Sequence, residues 1–392
     1  MAEKKKLLHI VECMGGGVFT YIVDLTAKLC DEYEVYVAFG IREQTPKNYE
    51  EYFDKRVHLI RVNNFVREIK FNKDIPAIFE VRKIVKKVKP DIIHLHSSKA
   101  GVVGRMFISS SYKKFYTPHG YSFLMEDVSG AKKNIYYMIE KIMGKRKCTT
   151  IACGSGEYKE TLKLTKDAVC INNGIDLESV KADIERVKAL SETQAGSEIE
   201  KSLSETQTRS EIRKPLSEKL NENEQAKKDR FTVVTLGRIC EQKNPKLFNE
   251  IAEQLPDVEF IWIGDGELRN ELVAENIEVT GWLDRDKALI RAMQGDAFML
   301  TSLWEGLPIS LLEAMYLKKL CIVSNVIGNI DVISDDLNGY VCGSTVEFVE
   351  AIKYAMSDNN DNKRLTERAY RDLSKHYNSN EVSEKYKKIY SR

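Results

Sequence analysis

Several absences narrow this chain before any motif is read. No apolar run in its 392 residues approaches the roughly 20 residues that span a bilayer, so a membrane-crossing helix is not expected. Charge of neither sign is in excess: 60 Lys and Arg against 59 Asp and Glu leave +1, and no bulk field draws the chain to nucleic acid. The eight cysteines include no Cys-x-x-Cys pair. The basic start, Met1-Ala-Glu-Lys-Lys-Lys-Leu7, leads into an apolar run too short for a secretory leader and without a cleavage site. These features predict reduced thiols and a cytosolic protein, soluble or at most peripheral on a membrane.

One block lacks more. From Lys181 to Arg230 there is no aromatic, Cys or Met, and basic and acidic residues balance at eleven each. A 13-residue unit recurs inside it, at Leu190-Ser-Glu-Thr-Gln, Leu203-Ser-Glu-Thr-Gln and Leu216-Ser-Glu, with Ser197-Glu-Ile and Ser210-Glu-Ile in its second half. Such a segment buries too little surface to offset its ordering entropy. It reads as an insertion grown by tandem duplication, disordered or partly helical. It divides the chain into a domain at 1–180, the insertion at 181–230, a domain at 231–375 and a C-terminal helix at 376–392 that can cross back to the first domain.

On both sides of the insertion, apolar runs of strand length alternate with amphipathic stretches. Strands are predicted at 7–11, 33–39, 57–62, 91–95, 115–117, 150–152 and 168–171, then at 231–236, 258–263, 277–280, 297–301, 320–324 and 339–342. A helix is predicted at Ile75–Val88, ended by Pro90. Strands alternating with helices imply parallel sheets covered on both faces. The fold class is therefore α/β, with two Rossmann-like domains and ligand in the cleft at the strand C-termini.

The chemistry gathers at loop-to-helix junctions. Glu305-Gly-Leu-Pro308 followed by Glu313 sets two carboxylates eight apart, one before a helix and one more than a turn into it. Pro308 suits the first helical turn, and the unpaired amides there form an anion site. A solvated helix start would show the same pattern. Arg238 follows the strand 232–237, and Lys243 precedes Asn244-Pro245, an N-cap and first turn. Two cations beside a helix N-terminus suit a diphosphate. Gly15-Gly-Gly17 lies between the first strand and a helix without the GxGxxG spacing, so a tight turn and a phosphate or sugar contact are both open. His94 and His96 share one strand face, which raises a metal pair. No Cys or carboxylate sits at ligand spacing, however, and no metal is expected. His119, in Thr117-Pro-His-Gly120, stands on a constrained turn that can reach the cleft. Asp284-Arg-Asp286 has a metal-like spacing but reads as a helix cap.

Taken together, Gly237-Arg-x4-Lys243, the Glu305-x7-Glu313 element, Thr117-Pro-His-Gly120 and Asn173-Gly-Ile-Asp176 resemble retaining glycosyltransferases of family 4, which have the GT-B fold. Outside 181–230 the resemblance covers nearly the whole chain. Ser324-Asn-Val-Ile-Gly-Asn-Ile-Asp331 and the Gly15 loop look like members that build capsule, exopolysaccharide or lipopolysaccharide. The resemblance implies that Arg238 and Lys243 bind the donor diphosphate and stabilise it as it leaves. It implies Glu313 on the ribose hydroxyls, Glu305 on the donor sugar, and the amides of Leu307, Pro308, Ile309 and Ser310 near sugar and phosphate (Pro308 by its backbone alone). Gly16 and Gly17 would close on the diphosphate, and Gly264 and Leu283 would line the nucleotide. His119 would lie against the transferring sugar, supporting positive character at the anomeric carbon or positioning hydroxyls. No cofactor is implied beyond the nucleotide-sugar co-substrate, with a UDP-sugar favoured. The acceptor would be a saccharide or an undecaprenyl-diphosphate-linked sugar. The basic aromatic stretch 131–147 reads either as a helix that docks on anionic lipid or as one that packs inward with a solvated rim. A GT-B nucleotide-sugar epimerase and a non-catalytic scaffold are the competing readings.

Overall fold

A computed structural model describes residues 3–12, 14–42, 45–66, 70–126, 128–186, 189, 230–357 and 359–392. The 13-residue repeats lie outside these residues. A helical stretch at 177–186 leads towards them.

The first sheet contains β1 (Lys5–Val11), β2 (Tyr33–Phe39), β3 (His58–Arg61), β4 (Ile92–His96), β5 (Lys113–Thr117), β6 (Thr149–Ala152) and β7 (Ala168–Cys170), in the order β3-β2-β1-β4-β5-β6-β7. The second contains β8 (Thr232–Leu236), β9 (Glu259–Ile263), β10 (Ile277–Val279), β11 (Ala297–Leu300), β12 (Leu320–Ser324) and β13 (Tyr340–Cys342), in the order β10-β9-β8-β11-β12-β13. All strand pairs are parallel. Connections run outward in opposite directions from β1/β4 and from β8/β11. Those two points are where strand order reverses and a crevice opens beyond the carboxyl ends.

Period-two alternation divides the first sheet between two cores. Leu8, Ile10, Ile93 and Leu95 face α2 (Phe71–Val88), α3 (Ser97–Phe107) and α4 (Gly130–Met143). Leu7, Val11, Ile92 and Phe115 face α1 (Gly16–Leu29) and, from the far end of the chain, α11 (Ser379–Ser391). The intervening α5 (Ser155–Leu164), α6 (Pro245–Glu253), α7 (Arg285–Met293), α8 (Ile309–Tyr316), α9 (Thr345–Ser357) and α10 (Asn359–His376) complete the layers. The last helix returns to the first sheet. Tyr386 receives a hydrogen bond from the Tyr21 hydroxyl at 2.6 Å, and Lys113 Nζ donates to the Tyr390 carbonyl at 2.7 Å.

Helix α2 starts four residues before the predicted Ile75. Asp74 accepts from the Lys70 amide at 2.9 Å and closes the first turn, which places Pro76 inside the helix rather than at its start.

Candidate functional site

The loops after β1, β8 and β11 and the turn after β5 meet between the two sheets. After β8, Gly237 takes φ +155°, and Trp262 Nε1 donates to its carbonyl at 2.9 Å. Gly264, on the next strand's loop, sits so close that a Cβ would lie 2.2 Å from that carbonyl, so only glycine fits. The chain then makes a short turn into α6. Asn244 is left-handed at φ 49°, its side chain accepts from the Leu247 amide at 3.3 Å, and Pro245 opens the helix as predicted. The β11 loop is tied to this turn. Thr301 Oγ1 donates to the Lys243 carbonyl at 2.8 Å, and the Leu303 amide donates to the Gln242 carbonyl at 2.8 Å.

That lacing brings Lys243 to Glu305. Lys243 Nζ donates to Glu305 Oε1 at 2.6 Å, Ser302 Oγ donates to the same oxygen at 2.7 Å, and Gln242 Nε2 reaches Oε2 at 3.2 Å. The Glu305 side chain is only 7% exposed, against 15% for Lys243. Arg238 is held apart from this pair, with its guanidinium on Glu267 at 2.7 Å. Pro308 is the N-cap of α8 rather than its first-turn residue, and its carbonyl accepts the amides of Leu311 and Leu312. Ile309 and Ser310 thus become the first helical residues, with Leu307 buried just before them.

Across the cleft, α1 begins at Gly16, with Gly15 as its cap. Gly16 takes φ +56°, and a Cβ on Gly17 would meet the Ile309 side chain at 3.5 Å. The two helix starts therefore face each other. Gly120 and Gly306 also pack backbone to backbone, a Cβ on Gly306 falling 2.9 Å from the His119 carbonyl carbon. Asp331, from the second half, caps α5 of the first: its carboxylate accepts from Ser155 Oγ at 2.7 Å and from the Gly156 amide at 2.9 Å. Asn173 Nδ2 donates to the Leu307 carbonyl at 3.2 Å.

Glu313 lies one turn deeper in α8 and is buried. Arg285 Nε donates to its Oε1 at 3.0 Å, while Arg285 also approaches Asp183 at 3.7 Å. Burial raises the Glu313 carboxyl above its ordinary range, and Arg285 pulls it back. Burial lifts Asp24, on α1, to about 6, with the Arg285 charge working against that rise. Arg285 therefore links Glu313 to Asp183, with its charge also acting on Asp24, and among the described residues its Nη2 is buried without a hydrogen-bond partner. Replacing it with Leu is expected to cost about 3 kcal/mol by stranding buried charge. Urea melts of the two proteins check this, and a loss below about 0.5 kcal/mol would contradict it.

His119 sits at φ +55° on the turn after β5. The Gly120 amide donates to Glu157 Oε2 at 2.6 Å, fixing the turn. The His119 ring is nearly coplanar with His96, which it meets edge to edge, and it meets Tyr21 in a T-shaped contact. Both strand histidines are fully buried. His94 bonds Tyr390 Oη at 2.6 Å and Thr117 Oγ1 at 2.9 Å, and His96 bonds His9 and His119. His9, opposite His94 in register, completes a trio whose ring nitrogens lie within 4.8 Å of one another. Every nitrogen of His94 and His96 is already engaged by a protein group. A metal would have to displace those bonds. Leu283, at 37% exposure, and Trp282 lie beyond the Gly264–Gly281 bridge at the rim. Asp284 caps α7 by position but without a side-chain bond, and Asp286 pairs with Arg186 at 2.9 Å.

Sequence reasoning missed His9, Arg285, Gln242 and Asp331. A histidine inside the apolar run Leu7-Leu-His-Ile-Val was the available signal for His9.

The two halves match two family descriptions. Residues 15–179 match "Glycosyltransferase Family 4", and residues 217–372 match "Glycosyl transferases group 1". The chain is a GT-B glycosyltransferase of the family 4 type. Among relatives of this glycosyltransferase is the Escherichia coli UDP-Gal:alpha-D-GlcNAc-diphosphoundecaprenol alpha-1,3-galactosyltransferase, 29% identical over 74% of this chain and 72% of the relative. Sucrose-phosphate synthase from Thermosynechococcus elongatus shares its fold at TM-score 0.75 and 14% identity, covering 99% of this chain and 98% of that one. The Anabaena protein HepE, solved with UDP-glucose, does so at TM-score 0.71 and 14% identity over 98% and 99%. Within this glycosyltransferase, the motif residues that stand far apart in sequence converge on the facing helix starts α1 and α8.

Proposed function

We propose that this glycosyltransferase transfers a sugar from a nucleotide-diphosphate sugar, a UDP-sugar by preference, with retention of configuration. The acceptor is a lipid-linked or saccharide intermediate of bacterial surface polysaccharide synthesis. The observation that carries this reading is the Lys243–Glu305 pair at the start of α8, with the Gly16–Gly17 helix start and the His119–Gly120 turn opposite and Arg238 on the same β8 loop, held on Glu267. Departure of a nucleoside diphosphate builds negative charge, which two cations and the facing helix amides can stabilise without a metal ion. Glu305 accepts donor-sugar hydroxyls, and Glu313, steadied by Arg285, accepts those of the ribose. Attack occurs on the face the diphosphate leaves, whose oxygen takes the acceptor proton. The E. coli relative's name supports a UDP donor and an undecaprenyl-diphosphate acceptor, and the UDP-glucose in the HepE structure supports the same donor class.

The test is a panel of nucleotide sugars offered with undecaprenyl-diphosphate-linked sugars and read by mass spectrometry. The expected product is an acceptor heavier by one sugar. Conversion of donor without acceptor would instead favour the epimerase reading.

A lipid-linked acceptor requires the enzyme at the cytoplasmic membrane face. No described helix is long and apolar enough to cross a membrane. Helix α4 turns its one acidic residue inward, where Glu140 pairs with Arg105 at 2.7 Å. Its outer face keeps Lys132, Lys141 and, just beyond, Lys145, Arg146 and Lys147, between the exposed Ile135, Met138 and Ile142. Exposed Met106 and Phe107 on α3 and Phe79 on α2 extend the apolar area. Binding to anionic vesicles is expected at low salt and release at high salt. Co-sedimentation with phosphatidylglycerol and phosphatidylcholine vesicles checks it, and equal binding to both would remove this mode.

A further inference from the structure

Four of the six histidines meet beside the cleft, and three of them form a hydrogen-bonded row. His9 Nδ1 lies 2.9 Å from His96 Nε2, and His96 Nδ1 lies 3.0 Å from His119 Nε2. Burial holds every ring neutral, lowering His9 and His119 to about 3 and the two strand histidines well below their usual value. A neutral imidazole has one N–H and one lone pair. In such a row, the state of one end dictates every proton position.

The inner end decides it. His9 is 0% exposed, and among the described residues its buried Nε2 meets no hydrogen-bond partner. A proton there would be an orphaned donor, costing about 1–3 kcal/mol, while a bare lone pair is the cheaper defect. The His9 proton therefore belongs on Nδ1 and is donated to His96 Nε2. His96 must then carry its own proton on Nδ1 and donate it to His119 Nε2. That leaves the His119 proton on Nδ1, an atom that no other described residue hydrogen-bonds. The ring is held in this role by its edge-to-edge hydrogen bond with the nearly coplanar His96, by Tyr21 against it at 5.0 Å, and by the Gly120–Glu157 bond that pins its turn.

We infer that His9 and His96 are positioning residues that lock His119 as its Nδ1–H tautomer, so that His119 meets the transferring sugar as a hydrogen-bond donor. It then orients a sugar oxygen and offers no lone pair to the anomeric carbon or to the acceptor proton. Both of those tasks fall to the departing phosphate. The tautomer follows from the row of rings alone; its use on a sugar rests on the transfer reading of the cleft.

Two measurements test this separately. In the first, the full chain is labelled with ¹⁵N-histidine and its long-range ¹H–¹⁵N spectrum is recorded at pH 7.5. His9, His96 and His119 are assigned from single Asn variants. A proton on Nδ1 of all three rings is the expected result. An Nε2–H His119, a charged imidazolium in the row, or stoichiometric metal held by His9, His94 and His96 would each overturn the inference.

In the second, His96→Asn and His96→Leu are compared. They are nearly equal in shape, but the first can still donate to His119 Nε2 and the second cannot. His96→Leu is expected to lose about 30-fold in kcat, with donor KM within about 3-fold, and His96→Asn to lose less, within about 5-fold of wild type. Equal losses in both would contradict the role. If wild type transfers no sugar at all, the transfer reading fails while the spectrum still decides the tautomer.

Discussion

Lys243→Ala is expected to lower kcat for sugar transfer by about 10²–10³, the cost of removing one preorganised charge from a developing anion. Lys243 is the more enclosed of the two cations, and its ammonium sits on Glu305 at 2.6 Å. Without it, Glu305 keeps only Ser302 and Gln242 as donors. Its carboxylate then faces the incoming diphosphate as an unscreened like charge. Glu305→Ala should fall comparably, because Lys243 loses the anchor that aims it. The double variant should be little worse than the more damaged single variant, since the two residues act as a unit. Steady-state kinetics with circular dichroism on each variant separates lost chemistry from lost folding. A folded Lys243→Ala enzyme within about 3-fold of wild-type kcat would contradict the assignment.

Acid should destabilise this protein steeply near pH 6, because of the histidines that line the same cleft. His9, His94, His96 and His119 are held neutral by burial, with folded values far below the 6.5 of an unfolded imidazole. The unfolded state therefore binds more protons as pH falls below 6.5, and stability drops with it. It is fully present above about 6.5 and is lost progressively towards the folded values. Each ring contributes up to about 1.4 kcal/mol per pH unit, half of that at pH 6.5 where the unfolded imidazole is half protonated, so four together lose about 3 kcal/mol per unit at pH 6.5 and about 5 kcal/mol per unit once pH is a unit lower. Buried carboxyls work the other way. Asp24, raised to about 6, and Glu157 and Glu313, also raised, protonate in the folded state and soften the slope below about pH 6. Urea midpoints at pH 7.5, 6.5 and 6.0 should show a plateau followed by a fall. A midpoint that is flat from 7.5 to 6.0 would mean that the cluster is charged or hydrated in the folded protein.

The two-sheet architecture was legible because parallel strands covered on both faces leave near-continuous apolar runs, and each of the thirteen strands begins or ends within two residues of such a run. The loops that carry Arg238, Lys243 and Glu305 were legible for a related reason. Arg238, Lys243 and Glu305 sit beside strong local punctuation, namely Gly237, Asn244-Pro245 and Gly306 through Pro308. What stayed hidden depends on contacts distant in sequence. His9 joins His96 across 87 positions, Tyr390 reaches His94 across 296, and Asp331 caps a helix 175 residues earlier. A local pattern can flag such a residue, as the apolar run around His9 does, but it cannot name the partner. Arg285 was read past because its neighbours Asp284 and Asp286 suggested a cap. Its partners, Glu313 and Asp183, lie on other helical stretches 28 and 102 residues away in sequence. The apolar periodicity placed the start of α2 at Ile75, whereas the Asp74 bond to the Lys70 amide closes a first turn that begins at Phe71.

The most direct measurement of the central claim is acceptor-dependent release of UDP. Purified enzyme is mixed with a UDP-hexose, with and without an undecaprenyl-diphosphate-linked sugar, and free UDP is followed beside the mass of the acceptor. UDP release that requires the acceptor, matches the gain of one hexose mole for mole and falls about 10²–10³-fold in Lys243→Ala is the expected result. UDP release that ignores the acceptor, or persists unchanged in that variant, would contradict it.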